Sequence, residues 1–296
     1  MQKISDILKK NSIKPKKYVK KGKVLIIDDG VIKYVIKEKK ELSKTFNYLK
    51  SRNFNYYPKV IYDDDNYEIT EYIDNYDIPI EQKMYDMIDL VTLLHNKTTH
   101  YKEIDISDYK KIYEDITNNI IYLYGYYDDL MTIIESKVFM SPSEYLLARN
   151  INKVYQAINF SKEELNNWYE TVKNKKKQRL VVLHNNLSLD HFLRNEKPYL
   201  ISWDKSKIDI PVFDLYKLYK KHALDMDFID IFNRYQKNYP LKEEEKKLFF
   251  TLIALPDLIT FNKKEYEMTQ IINKEIDYLY KTEQFILPNY AKNTKN

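Results

Sequence analysis

Cysteine is absent from the 296-residue chain, which removes disulfide frameworks, thiolate zinc sites and cysteine nucleophiles. Glycine occurs only at Gly22, Gly30 and Gly125. Phosphate-cradling loops need backbone that approaches the ligand with no side chain in the way, and neither a P-loop nor a dinucleotide fingerprint is present. No apolar run reaches the roughly 18 residues that a spanning helix needs, so no membrane partner is expected. The first residues, MQKISDILKKNSIKPKK, lack the apolar core of a signal peptide, and synthesis in the cytoplasm is the expectation. An excess of one charge is missing too: 49 basic against 44 acidic residues leave +5. The densest basic runs, Lys14 to Lys23 and Lys173 to Arg179, are short. Solvated helix ends and hairpins account for them, and no nucleic-acid partner is expected.

What is present is a hydrophobic fraction of 44%, enough to fill the core of one large domain or two lobes. Tyrosine is abundant, with 29 residues, alongside Lys, Asn and Ile. AT-rich codons alone produce that composition; a tyrosine-lined contact surface would produce it too.

The first seventy or so residues read as strands with one helix. Val24 to Asp28 and Val31 to Lys37 form a hairpin pattern around Asp28-Asp29-Gly30. A helix is expected from about Lys39 to Arg52, with Leu42, Phe46 and Leu49 on one face. Pro58 to Tyr62 and Tyr67 to Ile73 read as a second strand pair around the turn Asp63-Asp64-Asp65-Asn66. From Pro79 the pattern changes to long helices: Met84, Met87, Ile88, Val91 and Leu94 keep helical spacing up to His95, and Ser107 to about Glu135 follows. Capping boxes at Ser141 to Glu144 and Ser161 to Glu164 predict two more helix starts. Helical signals resume at Phe213 and run, with breaks near Pro240 and Pro256, to about Tyr280; the tail after Tyr290 is expected to be irregular. One island interrupts the helices: Leu180 to Leu183 is β-like, and Phe192-Leu193-Arg194 with Tyr199 to Ser202 suggests a small hairpin. The expected fold class is α+β and bilobal. Residues 1–74 form a small antiparallel-sheet lobe with one helix, and residues 75–296 form a large helical lobe carrying a loop at 183–193 and a hairpin to 204.

Three segments, in order, resemble a known family. Tyr34-Val35-Ile36-Lys37 resembles the third-strand motif of protein kinases, in which the lysine reaches nucleotide phosphates. Alternation puts Val35 and Lys37 on one face. Leu90 to Thr98 resembles the helix end L-A-x-L-H-x-x-T of aminoglycoside and choline phosphotransferase-like proteins, with His95 at its histidine. Leu183 to Leu193 followed by Ile201 to Leu215 resembles that family's catalytic segment, H-G-D-L-x-x-x-N, then D-[FW]-[DE], a proline and [YF]-D-L. His184, Leu187, Trp203-Asp204, Pro211 and Phe213-Asp214-Leu215 match it. The length and low-glycine, tyrosine-rich character look most like the spore-coat-associated kinase-like proteins.

The resemblance implies a nucleotide site at Lys37, with Glu41 as its partner glutamate and Glu71 in a hinge running from Glu68 to Ile73. It also exposes departures. Asn186 stands where the catalytic aspartate belongs, His191 at the metal-binding asparagine, Ser202 at the metal-binding aspartate, and Asn185 at the glycine. An amide orients a hydroxyl but is no base, a loss of about two to four orders of magnitude. A serine oxygen is neutral where a hard dication wants an anionic one, and imidazole nitrogen suits magnesium poorly. Asp190 and Asp204 are the candidates for a displaced metal ion, with Asp204 on the face of Ser202 if the strand extends that far. His184, Pro211 and Asp214 are read as structural, Asp214 as bonding the loop backbone. A zinc site of His184, Asp190 and His191 is the less favoured reading. The expectation is a catalytically impaired kinase-like protein that needs no cofactor, has protein partners and serves in assembly, deposited in a spore coat after cytoplasmic synthesis. The alternatives are an active phosphotransferase using ATP and magnesium on a small hydroxyl compound, and a nucleotide sensor without turnover.

Overall fold

Strand alternation builds the sheet of the first unit. The computed structural model describes residues 7–22 and 24–293, in two compact units: Met1–Thr98 with His184–Lys207, and Thr99–Leu183 with Ile208–Asn296. In the first unit β1 (Lys17–Lys21), β2 (Val24–Asp28), β3 (Lys33–Glu38), β4 (Val60–Asp63) and β5 (Tyr67–Glu71) form one sheet in the order β1-β2-β3-β5-β4, every neighbouring pair antiparallel. Ile27, Ile36 and Ile69 come from alternate positions and are buried, with Leu25, Tyr34 and Tyr67 packed beside them. A helical turn at residues 7–10 closes this face, through Ile7, Leu8 and then Ile13.

Turn chemistry fixes the hairpins. Asp29 Oδ1 accepts the N–H groups of Val31 and Ile32, both at 2.8 Å, and these bonds hold its carboxyl below the usual range. Gly30 beside it adopts φ +92°, which a side chain would strain. Asp64 Oδ1 does the same work between β4 and β5, accepting from Asn66 and Tyr67 at 2.7 Å. Helix α1 (Ser43–Ser51) buries Leu49, and α2 (Ile80–Thr98) buries Met84, Met87, Ile88, Val91 and Leu94, the stripe legible in the sequence. The hairpin β8 (Phe192–Arg194) with β9 (Pro198–Leu200) belongs to this unit. It is tied in where Leu200 N–H donates to Tyr56 O at 2.8 Å and Tyr76 N–H to Arg194 O at 2.7 Å.

The second unit is helical around a short sheet of β10 (Lys207–Asp209), β7 (Lys177–Leu183) and β6 (His100–Glu103). Its helices are α3 (Ile106–Glu135), α4 (Pro142–Val172), α5 (Val212–His222), α6 (Phe228–Asn238), α7 (Glu243–Ala254) and α8 (Glu265–Asn293). The Ser141 capping box is formed and opens α4. The core holds Trp168, Tyr219, Tyr235, Phe249 and Phe285, with edge-to-face rings such as Tyr219 against Phe249 at 6.1 Å. Several tyrosines also work as tethers. Tyr126, Tyr127 and Tyr278 donate to the carbonyls of Ile259, Asp257 and Ile253, each at 2.6 Å. The first two pin the irregular stretch after α7, and the third holds the last turn of α7. Arg179 forks onto Glu245, with Nε at 2.9 Å from Oε1, and lies 4.4 Å over the Tyr239 ring. No helix of the described residues is long and apolar enough to cross a membrane.

The α+β class and the division into a sheet region and a helical region are as expected. Four details differ. The units do not part at Asp74: α2 and residues 184–207 fall with the sheet. Ser161 starts no helix, because α4 runs through it with Leu165, Trp168 and Val172 continuing the buried stripe. Strands β1, β6 and β10 are not predicted by the sequence pattern, β1 because its five residues are all exposed and show no buried alternation. The tail is helical as far as Asn293; residues 294–296 lie outside the described ones, as does the start of the N-terminal segment.

One buried carboxyl in the second unit carries a pH signature. Glu275 is pushed up from 4.5 to about 7 by burial and by the charge of Asp257, against the pull of Lys220 and of the Asp257 N–H that its Oε1 accepts at 2.7 Å. In the unfolded chain this carboxyl ionises near 4.5, whereas the fold holds the proton to about 7. Its contribution to stability therefore falls as pH rises through that window and stays low above it. Glu275→Gln keeps the acceptor and removes the titration. Urea unfolding at about pH 5 and about pH 8 is expected to show the variant gaining on the wild type at the higher pH; parallel behaviour at both would refute the assignment.

Candidate functional site

Lys37 lies where the strand motif predicts it, but its partner is different. The register of β3 on β5 sets Lys37 opposite Glu68 and Val35 opposite Thr70, on the face away from the isoleucine core. Lys37 Nζ is 2.8 Å from Glu68 Oε1, with side chains 26% and 7% exposed. Glu68 Oε1 is buried and receives no well-angled hydrogen bond, so its compensation is the charge of Lys37 itself. Glu41 does not serve as the partner: it is exposed and precedes α1, whose sequence SKTFNYLKS contains no acid. The cross-strand neighbour supplies the carboxylate because register, unlike a helix docking angle, places it directly opposite. Glu71 is also committed within the sheet. Its Oε1 accepts the Lys59 N–H at 2.9 Å while its own N–H donates to Lys59 O at 3.0 Å.

The loop after β7 is held by bonds to backbone. His184 is fully buried; its Nε2–H donates to Ile201 O at 2.8 Å, and its ring meets Trp203 edge-on at 4.7 Å. Asn185 adopts φ +60°, the left-handed region where glycine is at ease and asparagine is the best-tolerated substitute. Its side-chain N–H donates to Lys205 O at 2.7 Å. The replacement of the expected glycine thus keeps the backbone form. Asn186 reaches Ser202 O with a long 3.4 Å bond. His191 Nδ1 is 2.7 Å from Asn186 O; a carbonyl only accepts, so Nδ1 carries the proton and, in the neutral ring, Nε2 is left as an acceptor. Ser202 also adopts a left-handed φ, +65°. Directly after it, Trp203 is buried and donates Nε1–H to Leu200 O at 2.8 Å. Its ring stands edge-on to Phe46, Phe54 and Tyr57 at 6.1, 6.2 and 6.3 Å.

Asn186, His191 and Ser202 are therefore joined through one another's backbone, as the aligned segment requires. The donors they offer are an amide, an imidazole nitrogen and a neutral hydroxyl, a set that does not fit magnesium. Asp190 and Asp204 do not repair it in the way the sequence suggests. Strand β9 ends at Leu200, and Ser202 turns the chain left-handed before the 3-10 turn Trp203–Lys205. The alternation that would align Asp204 with Ser202 is lost, and both Asp190 and Asp204 are exposed. Among the described residues no group of three or more His, Asp or Glu side chains is arranged to hold a metal ion. The rings of His184 and His191 are 6.5 Å apart, and no third ligand is gathered with them among the described residues, so they do not make a tetrahedral zinc site. In the second unit Pro211 precedes α5 and Asp214 is fully buried in its first turn. Glu68 is the residue that sequence reasoning assigned only to the hinge; the β3–β5 register is the signal that finds it.

Lys37→Met strands the Glu68 carboxylate in a buried position and is expected to destabilise the protein by about 1–3 kcal/mol, the lower range reflecting the partial exposure of the lysine. Lys37→Met with Glu68→Met is expected to recover most of that loss in urea unfolding. Glu41→Gln is expected to leave stability unchanged. A Glu41→Gln loss equal to that of Lys37→Met would show the wrong partner has been chosen.

No protein-family model matches the sequence, and no curated protein is significantly similar to it. Solved structures are similar in fold. An aminoglycoside phosphotransferase from Alicyclobacillus acidocaldarius superposes over 97% of this chain and 93% of its own, with TM-score 0.64 and 10% identity. The AMP-bound spectinomycin phosphotransferase APH(9)-Ia superposes over 95% of this chain and 97% of its own, with TM-score 0.60 and 12% identity. A sheet region carrying the strand lysine, followed by helices interrupted by the His184 loop, thus has the protein-kinase-like fold of the aminoglycoside phosphotransferases.

Proposed function

We propose that this chain is a kinase-like protein that has lost phosphoryl transfer and acts by binding other proteins. The observation that carries the reading is the donor set Asn186, His191 and Ser202, whose loop backbone is held in place without any of the three acidic or metal-binding groups. Phosphoryl transfer leans on cations that neutralise developing charge and on a base or orienting acid. Removing the anionic oxygens takes away the larger of these contributions, while the folding information in His184 and Trp203 is retained. Apolar side chains exposed in the turn between α3 and α4, Val138 at 89% and Phe139 at 87%, support a protein partner. Deposition in a spore coat is part of the same proposal and rests on the family likeness alone.

A second reading, an active phosphotransferase acting on a small hydroxyl compound with ATP, is favoured by the fold shared with phosphotransferases of aminoglycosides and spectinomycin. Binding of nucleotide without turnover is intermediate between the two. It draws support from Lys37 and from the AMP complex of the spectinomycin enzyme.

A thermal-shift and turnover series with ATP, with and without magnesium, separates the three. The wild type is expected to show no magnesium-dependent shift and no ATP consumption. The combined variant Asn186→Asp, His191→Asn, Ser202→Asp is expected to gain a magnesium-dependent shift, since it restores anionic and amide oxygens to the same backbone. Turnover by the wild type that disappears in Lys37→Ala would end the leading reading.

A further inference from the structure

A gap between three helices of the second unit has the form of a ligand site. Helices α7 and α8 each pack along α4 but touch each other much less. Between them lies a cavity of about 120 Å³. Its lining includes Ala157 and Phe160 from α4, Ala254 from α7, and Leu279 and Ile286 from α8. The two alanines explain the space: larger side chains at those positions would fill it. The space opens to solvent past Gln156, Glu283 and Leu287, which also line it and are exposed; an enclosed apolar cavity of about 150 Å³ takes up benzene. Size and lining therefore fit one small ring or branched alkyl group.

Lys153 adds a charge to this apolar space. It lines the cavity yet is 9% exposed, a rare state for lysine without a partner. Its Nζ bonds the carboxylate of Glu283 and lies 4.6 Å over the Tyr280 ring. Glu283 is itself 47% exposed, so the pair spans the rim, with the ammonium inward and the carboxylate toward water. An incoming anion can take the place of Glu283 at low cost, because the displaced carboxylate is already half solvated. A cationic ligand would meet the buried ammonium instead. The Thr282 hydroxyl is engaged by Tyr219 Oη at 3.0 Å, which leaves Gln156 and the Lys153–Glu283 pair as the polar lining.

We propose that this cavity binds a small aromatic or branched-aliphatic carboxylate, with the apolar body between Ala157, Ala254, Leu279 and Ile286 and the carboxylate on Lys153. The site lies wholly within the second unit and is independent of the Lys37 and His184 regions.

The test uses the full chain with phenylacetate and, as an uncharged control, toluene, read by methyl NMR shifts of leucine and isoleucine and by thermal shift. Phenylacetate is expected to perturb Leu279 and Ile286 and raise the melting temperature. Lys153→Met is expected to weaken phenylacetate by about ten-fold or more, the loss of one charge-assisted bond, with little effect on toluene. Ala254→Leu fills the space without removing a polar group and is expected to abolish both responses. Phenylacetate binding that survives Ala254→Leu, or that is indifferent to Lys153→Met in a folded variant, overturns the proposal, as does the absence of any methyl shift in the wild type.

Discussion

The loop from His184 to Ser206 keeps its form because its fastenings run to carbonyl groups and to one indole. His184 donates to Ile201, Asn185 to Lys205, His191 to Asn186 and Trp203 to Leu200. Carbonyl oxygens are available whatever the side chains are, so the form of the loop does not depend on an acid at position 186 or 202. The Trp203 ring then sets the loop against Phe46, Phe54 and Tyr57. Shape and chemistry are thereby partly separable here: His184, Asn185 and Trp203 fold the loop through bonds that involve no group at position 186 or 202.

A related separation marks the strand lysine. Lys37 is paired inside the sheet, by Glu68 from the adjoining strand. A partner fixed by strand register stays in place as long as the sheet does. Nothing about this pair depends on α1, which offers no acid. Lys37 and Glu68 are thus first a structural charge pair, whatever else the lysine contacts.

The second unit handles its polar groups differently. Several of the tyrosines here place rings in the core, and Tyr126, Tyr127 and Tyr278 set hydroxyls on carbonyls in the last turn of α7 and just beyond it. Arg179 with Glu245 and Glu275 with Asp257 N–H keep buried charge or polarity satisfied. Against this well-bonded background, the cavity beside Lys153 stands out as space that the helices leave open.

Local chemistry determined much of this protein from sequence alone. Alternation gave Ile27, Ile36 and Ile69 one face, helical spacing gave α2 its buried stripe, and aspartate-bearing turns gave the β2–β3 and β4–β5 hairpins, because each depends on neighbours a few residues away. The motif order from Lys37 to Leu215 similarly pointed to the fold. Tertiary structure alone decided that Glu68, rather than Glu41, meets Lys37, that Asp204 turns out into solvent, that Ser161 continues a helix and that α2 belongs with the sheet. These outcomes rest on strand register, on a left-handed residue at Ser202 and on packing between distant segments. Apart from the helix through Ser161, whose stripe at Leu165, Trp168 and Val172 has helical spacing, none of them leaves a periodic trace in the chain, since the groups that compete for each position come together only when the backbone has folded.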